Sequence, residues 1–403
     1  MFEPISDVLI QQLNKKKEPT NVHKGEKRSV IISGAGITGL AAARAFQQAG
    51  WQTTIIERRR QWECCGAGIA LPANATKQLK TLGLLEAVSL YAQEGHAIAY
   101  YDDIGRLLCQ ESFQGLHPDA HPYLALSHHS LHQTMREGID SSHIIMGQAI
   151  QHLEPLDEGV STVLENGQIF RASILLICEG IFSPSRVRWI ADVEPEDMGL
   201  FCWRFLTDNP MPKVTDPHLY LGQNSAFLIY PLKNGRCYCY GHITDSFQRA
   251  RDASVNLSLL QDTFSDYSRP VKTVIENLDS QSPLICGRMS VMPEPVWNRS
   301  GFERVLCLGD AAHGCGPVLQ QGVAQGLEDV AVLREELERS SSVTQGITAF
   351  VARRTERVTQ VCQRSNEKLK ELSHTEVQAR NLVLKNHGPV HTNGWRWLFQ
   401  TEV

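Results

Sequence analysis

The chain has 403 residues, 42% hydrophobic and 21% charged, and carries a formal net charge of −5 with acids and bases mixed throughout. That length accommodates about two or three domains' worth of core, in a composition ordinary for a globular protein. The charge pattern excludes the concentrated basic face of a nucleic-acid binder, and no apolar run reaches the roughly 18–20 residues that cross a bilayer.

Residues 1–28 begin Met-Phe-Glu-Pro and continue as a polar stretch. They lack the basic start and apolar core of a secretion signal. A short amphipathic helix over residues 5–13 would end at Lys15-Lys16-Lys17 and Pro19; with so few apolar groups the segment is expected to be a flexible arm. The eleven cysteines are scattered, with no CxxC pair at metal spacing, so no metal is expected. Without a signal peptide the expected compartment is the cytoplasm, where thiols stay reduced.

Beyond the arm the pattern sharpens. Ser29-Val30-Ile31-Ile32 is a short apolar run, a buried strand. Gly34-Ala35-Gly36-Ile37-Thr38-Gly39 follows, then a helix over residues 40–48 that stops at Gly50 and a second strand from Thr53 that ends on Glu57. Residues 74–88 predict one helix, with Leu79, Leu82, Leu85 and Val88 at three-residue spacing, and residues 130–139 another. Residues 144–154, 161–164 and 170–178 read as strand-rich. Residues 199–245 alternate apolar and polar groups between turn signals, which predicts an antiparallel sheet separate from the first unit. A helix over 257–275, a buried strand at Val305-Leu306-Cys307-Leu308 and two long helices over 325–339 and 347–373 complete the pattern.

The Gly34/Gly36/Gly39 spacing has a physical role in this setting. The first glycine permits a tight turn, the second lets the backbone reach a pyrophosphate, and the third allows close helix–strand packing. The helix N-terminus offers unpaired N–H groups and partial positive charge. Glu57, at the end of the second strand, is placed to accept hydrogen bonds from a ribose diol. This specifies an adenine dinucleotide without choosing between NAD and FAD. The choice comes from residues 304–329, RVLCLGDAAHGCGPVLQQGVAQGLED. A strand delivers Gly309-Asp310, and a Gly/Pro-rich turn leads to a helix beginning near Gly322. A second helix N-terminus far along the chain suits a long flavin. Asp310 would bind ribityl hydroxyls or pyrophosphate, and the N–H groups of Gln321, Gly322 and Val323 would face the pyrimidine end, where a positive dipole stabilises an anionic reduced ring.

At this point the chain resembles the class A flavoprotein monooxygenases, the family of p-hydroxybenzoate hydroxylase, salicylate hydroxylase and the FAD-dependent urate hydroxylases. The resemblance runs from about Arg28 to about Arg357 through GAGITGLAAARAFQQAG, GAGIALPANATKQLKTLGLLEAV, LLICEGIFSPSRVR, LGDAAHGCGPVLQQGVAQGLEDV and FVARRTERV. It implies an α/β fold with a Rossmann-like FAD-binding domain and an inserted mixed-sheet substrate domain. The expected division is residues 29–105, 125–198 and 285–340 for FAD, 106–124 and 199–284 for substrate, and 341–403 as a C-terminal helical region. It further implies that Gly34, Gly36, Thr38 and Gly39 hold the pyrophosphate, Glu57 the ribose and Arg58 the adenosine. Gly66, Ala67 and Gly68 would line the flavin, Ile150 would touch adenine, and Pro317 would lie against the ring. NADH or NADPH would dock transiently, and O₂ would react at the reduced flavin as a hydroperoxide to hydroxylate or epoxidise a small aromatic or cyclic substrate. The expected protein is a monomer or homodimer.

Three positions depart from the family pattern. Glu179 stands where Asp is usual, His128 where Arg is common, and Gln320 where Gly is usual. They keep open a same-fold reductase or halogenase, or a non-catalytic flavin-binding protein; the Trp-x-Trp-x-Ile-Pro halogenase motif is absent. In the predicted sheet, Arg204 is a candidate for binding a carboxylate or phenolate-like oxygen, and Tyr230 and Tyr220 for orienting or deprotonating an aromatic hydroxyl. His242 is a weaker candidate, and Trp395, Trp397, Leu398 and Phe399 are expected to dock on the core.

Overall fold

The computed structural model describes residues 28–63, 67–115, 119, 121–244, 253–374, 376–389, 397–399, 401 and 403. The arm expected over residues 1–28, apart from Arg28, lies outside the described residues, as do Gly66 and Trp395.

Ser29–Ser33 is the central strand of a five-stranded sheet in the order Val305–Cys307, Ile174–Ile177, Ser29–Ser33, Gln52–Glu57, Ile144–Met146. All its pairings are parallel. A parallel sheet is covered on both faces, so its strands are continuous apolar runs, and Val30, Ile31, Ile32 and Ile174–Ile177 are at most 2% exposed. The helix Ile37–Gln48 packs against Gly322–Arg339. Its buried Ala41, Ala42, Ala43 and Ala45 let the two backbones approach closely. Two predicted helices are each broken in two. Residues 74–88 form Ala73–Thr81 and Leu85–Tyr91, because Gly83 takes a left-handed φ of +70° that ends the first. Residues 257–275 form Ala253–Thr263 and Arg269–Glu276, the second opening on Pro270, which fits a first turn but not a helix interior.

The second large sheet has seven strands, ordered Ile285–Val291, Glu196–Asp208, Arg236–Thr244, Ser225–Pro231, His218–Leu221, Ala97–Asp102, Leu107–Ser112. It is antiparallel except where His218–Leu221 runs parallel to Ala97–Asp102. Residues 97–102 and 285–291, expected from sequence among the nucleotide-binding segments, pair into this seven-stranded sheet. Both are recruited by long-range pairing, which local pattern does not encode.

Alternation along each strand sorts this sheet into two faces. Phe201, Trp203, Phe205, Phe227, Ile229, Cys237 and Cys239 pack on Leu260, Phe264, Val271 and Val274 from the two short helices. The intervening residues face the interior of the molecule. Trp203 is fully buried and donates its indole N–H to the Asn256 carbonyl at 3.0 Å. Replacing Trp203 by Ala should cost about 3–5 kcal/mol, read as a lower urea midpoint; an unchanged midpoint would contradict this packing.

Candidate functional site

One cavity of about 660 Å³ runs between the two sheets. Its first wall is the turn after Ser29–Ser33. Gly34 has φ +101°, and a Cβ there would lie 2.4 Å from the Cys178 carbonyl oxygen; only glycine fits. A Cβ on Gly36 would meet nothing within 4 Å, which leaves the backbone open to the cavity it lines. Gly36 caps the Ile37–Gln48 helix without a side-chain hydrogen bond, so the first-turn N–H groups are left for a ligand. Gly34, Gly36, Thr38, Glu57 and Arg58 line this end. Glu57 also orders it, accepting from Ala35 N–H and Arg59 N–H, each at 2.9 Å.

The second wall is the segment from Gly309 to Val323. Asp310, Pro317, Gln320, Gly322 and Val323 line the cavity. The helix Gly322–Arg339 likewise starts without a side-chain cap. A Cβ on Gly322 would stand 3.6 Å from Asp310 Oδ1, which puts that carboxylate beside the helix N-terminus. Burial raises the Asp310 pKa, against the lowering effect of His313 and Arg204. Thr38 ties the two walls together: a Cβ on Gly309 or Gly326 would lie 2.5 or 2.4 Å from its hydroxyl.

A buried ionic network holds this second wall. Arg354, fully buried, donates to Asp329 and Glu328 at 2.9 Å each. Arg357 donates to both oxygens of Glu328 at 2.8 and 2.9 Å. Asp329 also accepts from Gly309 N–H at 2.9 Å and from His313 Nε2–H at 2.6 Å. Burial opposes ionisation of Glu328 and Asp329, but Arg357 for the first and His313 and Arg354 for the second outweigh it, and both pKa values fall. Burial also disfavours the His313 cation; Asp329 outweighs it and the His313 pKa rises. In the sequence, FVARRTERV and LED mark the family resemblance without assigning roles to Arg354, Arg357, Glu328 or Asp329, while His313 is expected to brace its loop.

The third wall is the inner face of the seven-stranded sheet, with Arg204, Tyr230, Tyr238, Tyr240 and His242. Arg204 makes no hydrogen bond or salt bridge to any described residue. His242 Nε2 lies 3.1 Å from Ser373 Oγ, whose hydroxyl donates to Leu369 O. Tyr230 turns its ring to the cavity, and its hydroxyl lies beside Gly95. Burial pushes the phenols of Tyr230 and Tyr240 up and that of Tyr238 to about 12, so they stay neutral and are donors rather than bases.

The cavity gathers Gly34, Gly36, Thr38, Glu57, Arg58 and Gly68 with Asp310, Gly322, Val323, Arg204 and Tyr230. It does not gather four other candidates. Gly39 is packed inside, where a Cβ would lie 2.0 Å from the Gly34 carbonyl. Ile150 is 7% exposed in the main core, while Gln148 and Ala149 reach the wall. Gln321 is fully buried, its side-chain Oε1 accepting from Asn74 and Gln325. Tyr220 pairs with Phe227, on the far face, and stacks on Tyr101 at 5.2 Å.

The three departures from the family pattern are built into the structure. Glu179 accepts from Ser183 Oγ at 2.7 Å, Ser185 N–H at 3.1 Å and Ser185 Oγ at 2.6 Å, and also from Ser33 Oγ. Gln320 takes the left-handed φ of +56° that a glycine adopts freely, and its side-chain Oε1 accepts from the Tyr123 hydroxyl. His128 lines the cavity and stacks on His132 at 6.3 Å. Leu398 and Phe399 pack with Tyr230, Leu319 and Val361, and Arg357 donates to the Leu398 carbonyl at 2.8 Å. Among the described residues no cluster of His, Cys, Asp or Glu suits a metal ion, and no helix is long and apolar enough to cross a membrane.

The network imposes a pH dependence. The folded pKa values of Glu328 and Asp329 are depressed, so their contribution holds above the unfolded carboxylate range and is lost as pH falls through the folded values. That of His313 is raised, so its contribution is complete below about pH 6.5 and is lost as pH rises through the folded value. The network should therefore contribute most between about pH 4.5 and 6.5. Urea midpoints measured across pH should fall on the alkaline side of that window, and His313→Gln should remove that fall. An unaltered alkaline limb in the variant would contradict the assignment.

A family profile described as FAD binding domain matches residues 27–365. The 2-heptyl-3-hydroxy-4(1H)-quinolone synthase of Pseudomonas aeruginosa is 28% identical over 76% of this chain and 79% of its own length. The FAD-dependent urate hydroxylase of Klebsiella oxytoca is 25% identical over 81% of this chain and 86% of its own. In fold, the chain is similar to Klebsiella pneumoniae HpxO complexed with FAD and uric acid, with a TM-score of 0.86 at 22% identity over 94% of this chain and 98% of that one. The chain belongs to the FAD-binding domain family of flavoprotein oxidoreductases that includes the FAD-dependent monooxygenases.

Proposed function

We propose that this chain is an FAD-dependent hydroxylase that uses NADH or NADPH and O₂ to add one oxygen atom to a small aromatic or heterocyclic substrate. One observation supports this reading above the others: a single cavity joins two uncapped helix N-termini and passes under Arg204, whose guanidinium makes no hydrogen bond or salt bridge to a described residue. The residues fit the cofactor: the bare backbone at Gly36 and the N–H groups before Thr38 suit a pyrophosphate, Glu57 and Arg58 the adenosine end, Asp310 a polyol chain, and Gly322 and Val323 the polar edge of the ring. Bound FAD would supply two-electron redox chemistry and, once reduced, activation of O₂. Overall, substrate, O₂, NAD(P)H and a proton would give hydroxylated product, NAD(P)⁺ and water.

The chain's own residues would place the substrate. Arg204 is a fixed, permanently charged donor for a carbonyl, phenolate or carboxylate oxygen. It would lower the substrate hydroxyl's pKa by stabilising the anion. Tyr238 and Tyr240, kept neutral by burial, would donate rather than accept. His242 lies in the same wall, its Nε2 3.1 Å from Ser373 Oγ.

The test is direct. The purified protein should bind FAD. NADH and NADPH oxidation should then be screened with phenols, aromatic acids, 4-quinolones and urate, with products weighed for one added oxygen. FAD binding without oxygenated product from any of them would favour a non-catalytic or reductase role. Arg204→Gln should lower kcat/KM by about 10- to 150-fold, the loss of one charged hydrogen bond, with FAD content unchanged. An unaffected kcat/KM would remove Arg204 from substrate binding.

A further inference from the structure

The inner end of the cavity differs in chemistry from the rest. Arg204, Tyr240 and His242 sit on the second and third strands of the seven-stranded sheet. The next three strands present Leu228, Ala226, Leu219 and Ile98 to the same space, with the phenol rings of Tyr230 and Tyr100 on the first and third of them. Val318 and Leu372 close it from the other side. Ile98, Ala226 and Leu372 are 8%, 1% and 3% exposed. These three strands span about 10 Å at the usual strand spacing, far enough for an extended hydrocarbon chain. None of the six aliphatic side chains can donate or accept a hydrogen bond.

We propose that this apolar end takes an alkyl tail on the substrate, whose polar ring sits against Arg204. The proposal rests on the hydroxylase reading and narrows it to ring compounds carrying a hydrocarbon chain. A compact purine bearing several carbonyl and N–H groups would leave polar atoms unpaired against these walls, an unfavourable burial. An alkyl chain has nothing to leave unpaired, and its transfer from water is favourable per methylene.

The experiment is a calorimetric titration of the FAD-loaded protein with 4-quinolones carrying methyl, propyl, pentyl or heptyl at position 2, beside urate. Kd should tighten by about fourfold per methylene until the chamber is full, and urate should bind more weakly than the heptyl compound. Ala226→Leu, which fills the chamber, should weaken the heptyl compound more than the methyl one. Wild-type protein answers the question even if that variant does not fold. Binding of the methyl compound with no gain from chain length overturns the tail assignment alone. Urate binding more tightly than the heptyl compound overturns it as well. If no quinolone binds, the ring assignment fails and the tail falls with it.

Discussion

The buried pairing of Arg354 and Arg357 with Glu328 and Asp329 is the constraint on which the cavity depends. Two carboxylates and two guanidiniums removed from water are each costly to desolvate, and the cost is offset only when their hydrogen-bonding positions are filled. Here the filling groups belong to the walls. Asp329 takes the Gly309 N–H and His313, Glu328 takes Asn74, and Arg357 reaches the Leu398 carbonyl. One network therefore fixes the second loop, the helix that carries Asn74 and the C-terminal residues. Removing a single member would leave buried charge on its partners only partly compensated, a loss of up to about 3–5 kcal/mol. That asymmetry explains why a network of small net stability can still set one geometry.

The seven-stranded sheet works on a simpler rule. Strand alternation sends Trp203, Phe205, Phe227 and Cys239 into an apolar layer under two helices, and leaves Arg204, Leu228 and Tyr240 over the cavity. Rigidity and recognition are thus assigned to opposite faces of the same strands. Tyr230 and Tyr220 look alike in sequence and are separated by this parity. Tyr230 pairs with Tyr238 on the cavity face, and Tyr220 pairs with Phe227 on the other.

What was legible in the sequence was local. The first turn could be read because Gly34 and Gly36 are required by backbone geometry within a few residues. The second loop could be read from its own run of Gly and Pro between a strand and a helix. What needed the fold was non-local. Nothing near residues 97–102 or 285–291 indicates that they join the seven-stranded sheet. Gln321 reads as a backbone N–H donor; its side chain turns inward to Asn74 and Gln325 across the helix start. Ile150 is one residue beyond the wall, where the strand Ile150–Leu156 begins and turns into the core. The parity that buries Tyr220 was latent in the alternation and becomes decisive only with the register known.

The ionic network is expected to set the cavity wall that would hold FAD. This expectation is tested most directly by the FAD dissociation constant of Arg354→Met, measured by flavin fluorescence quenching under conditions where far-ultraviolet circular dichroism shows the variant folded. The account predicts markedly weaker binding than wild type, because Asp329 would release Gly309 and the start of the Gly322–Arg339 helix. A folded variant with the wild-type constant would contradict it.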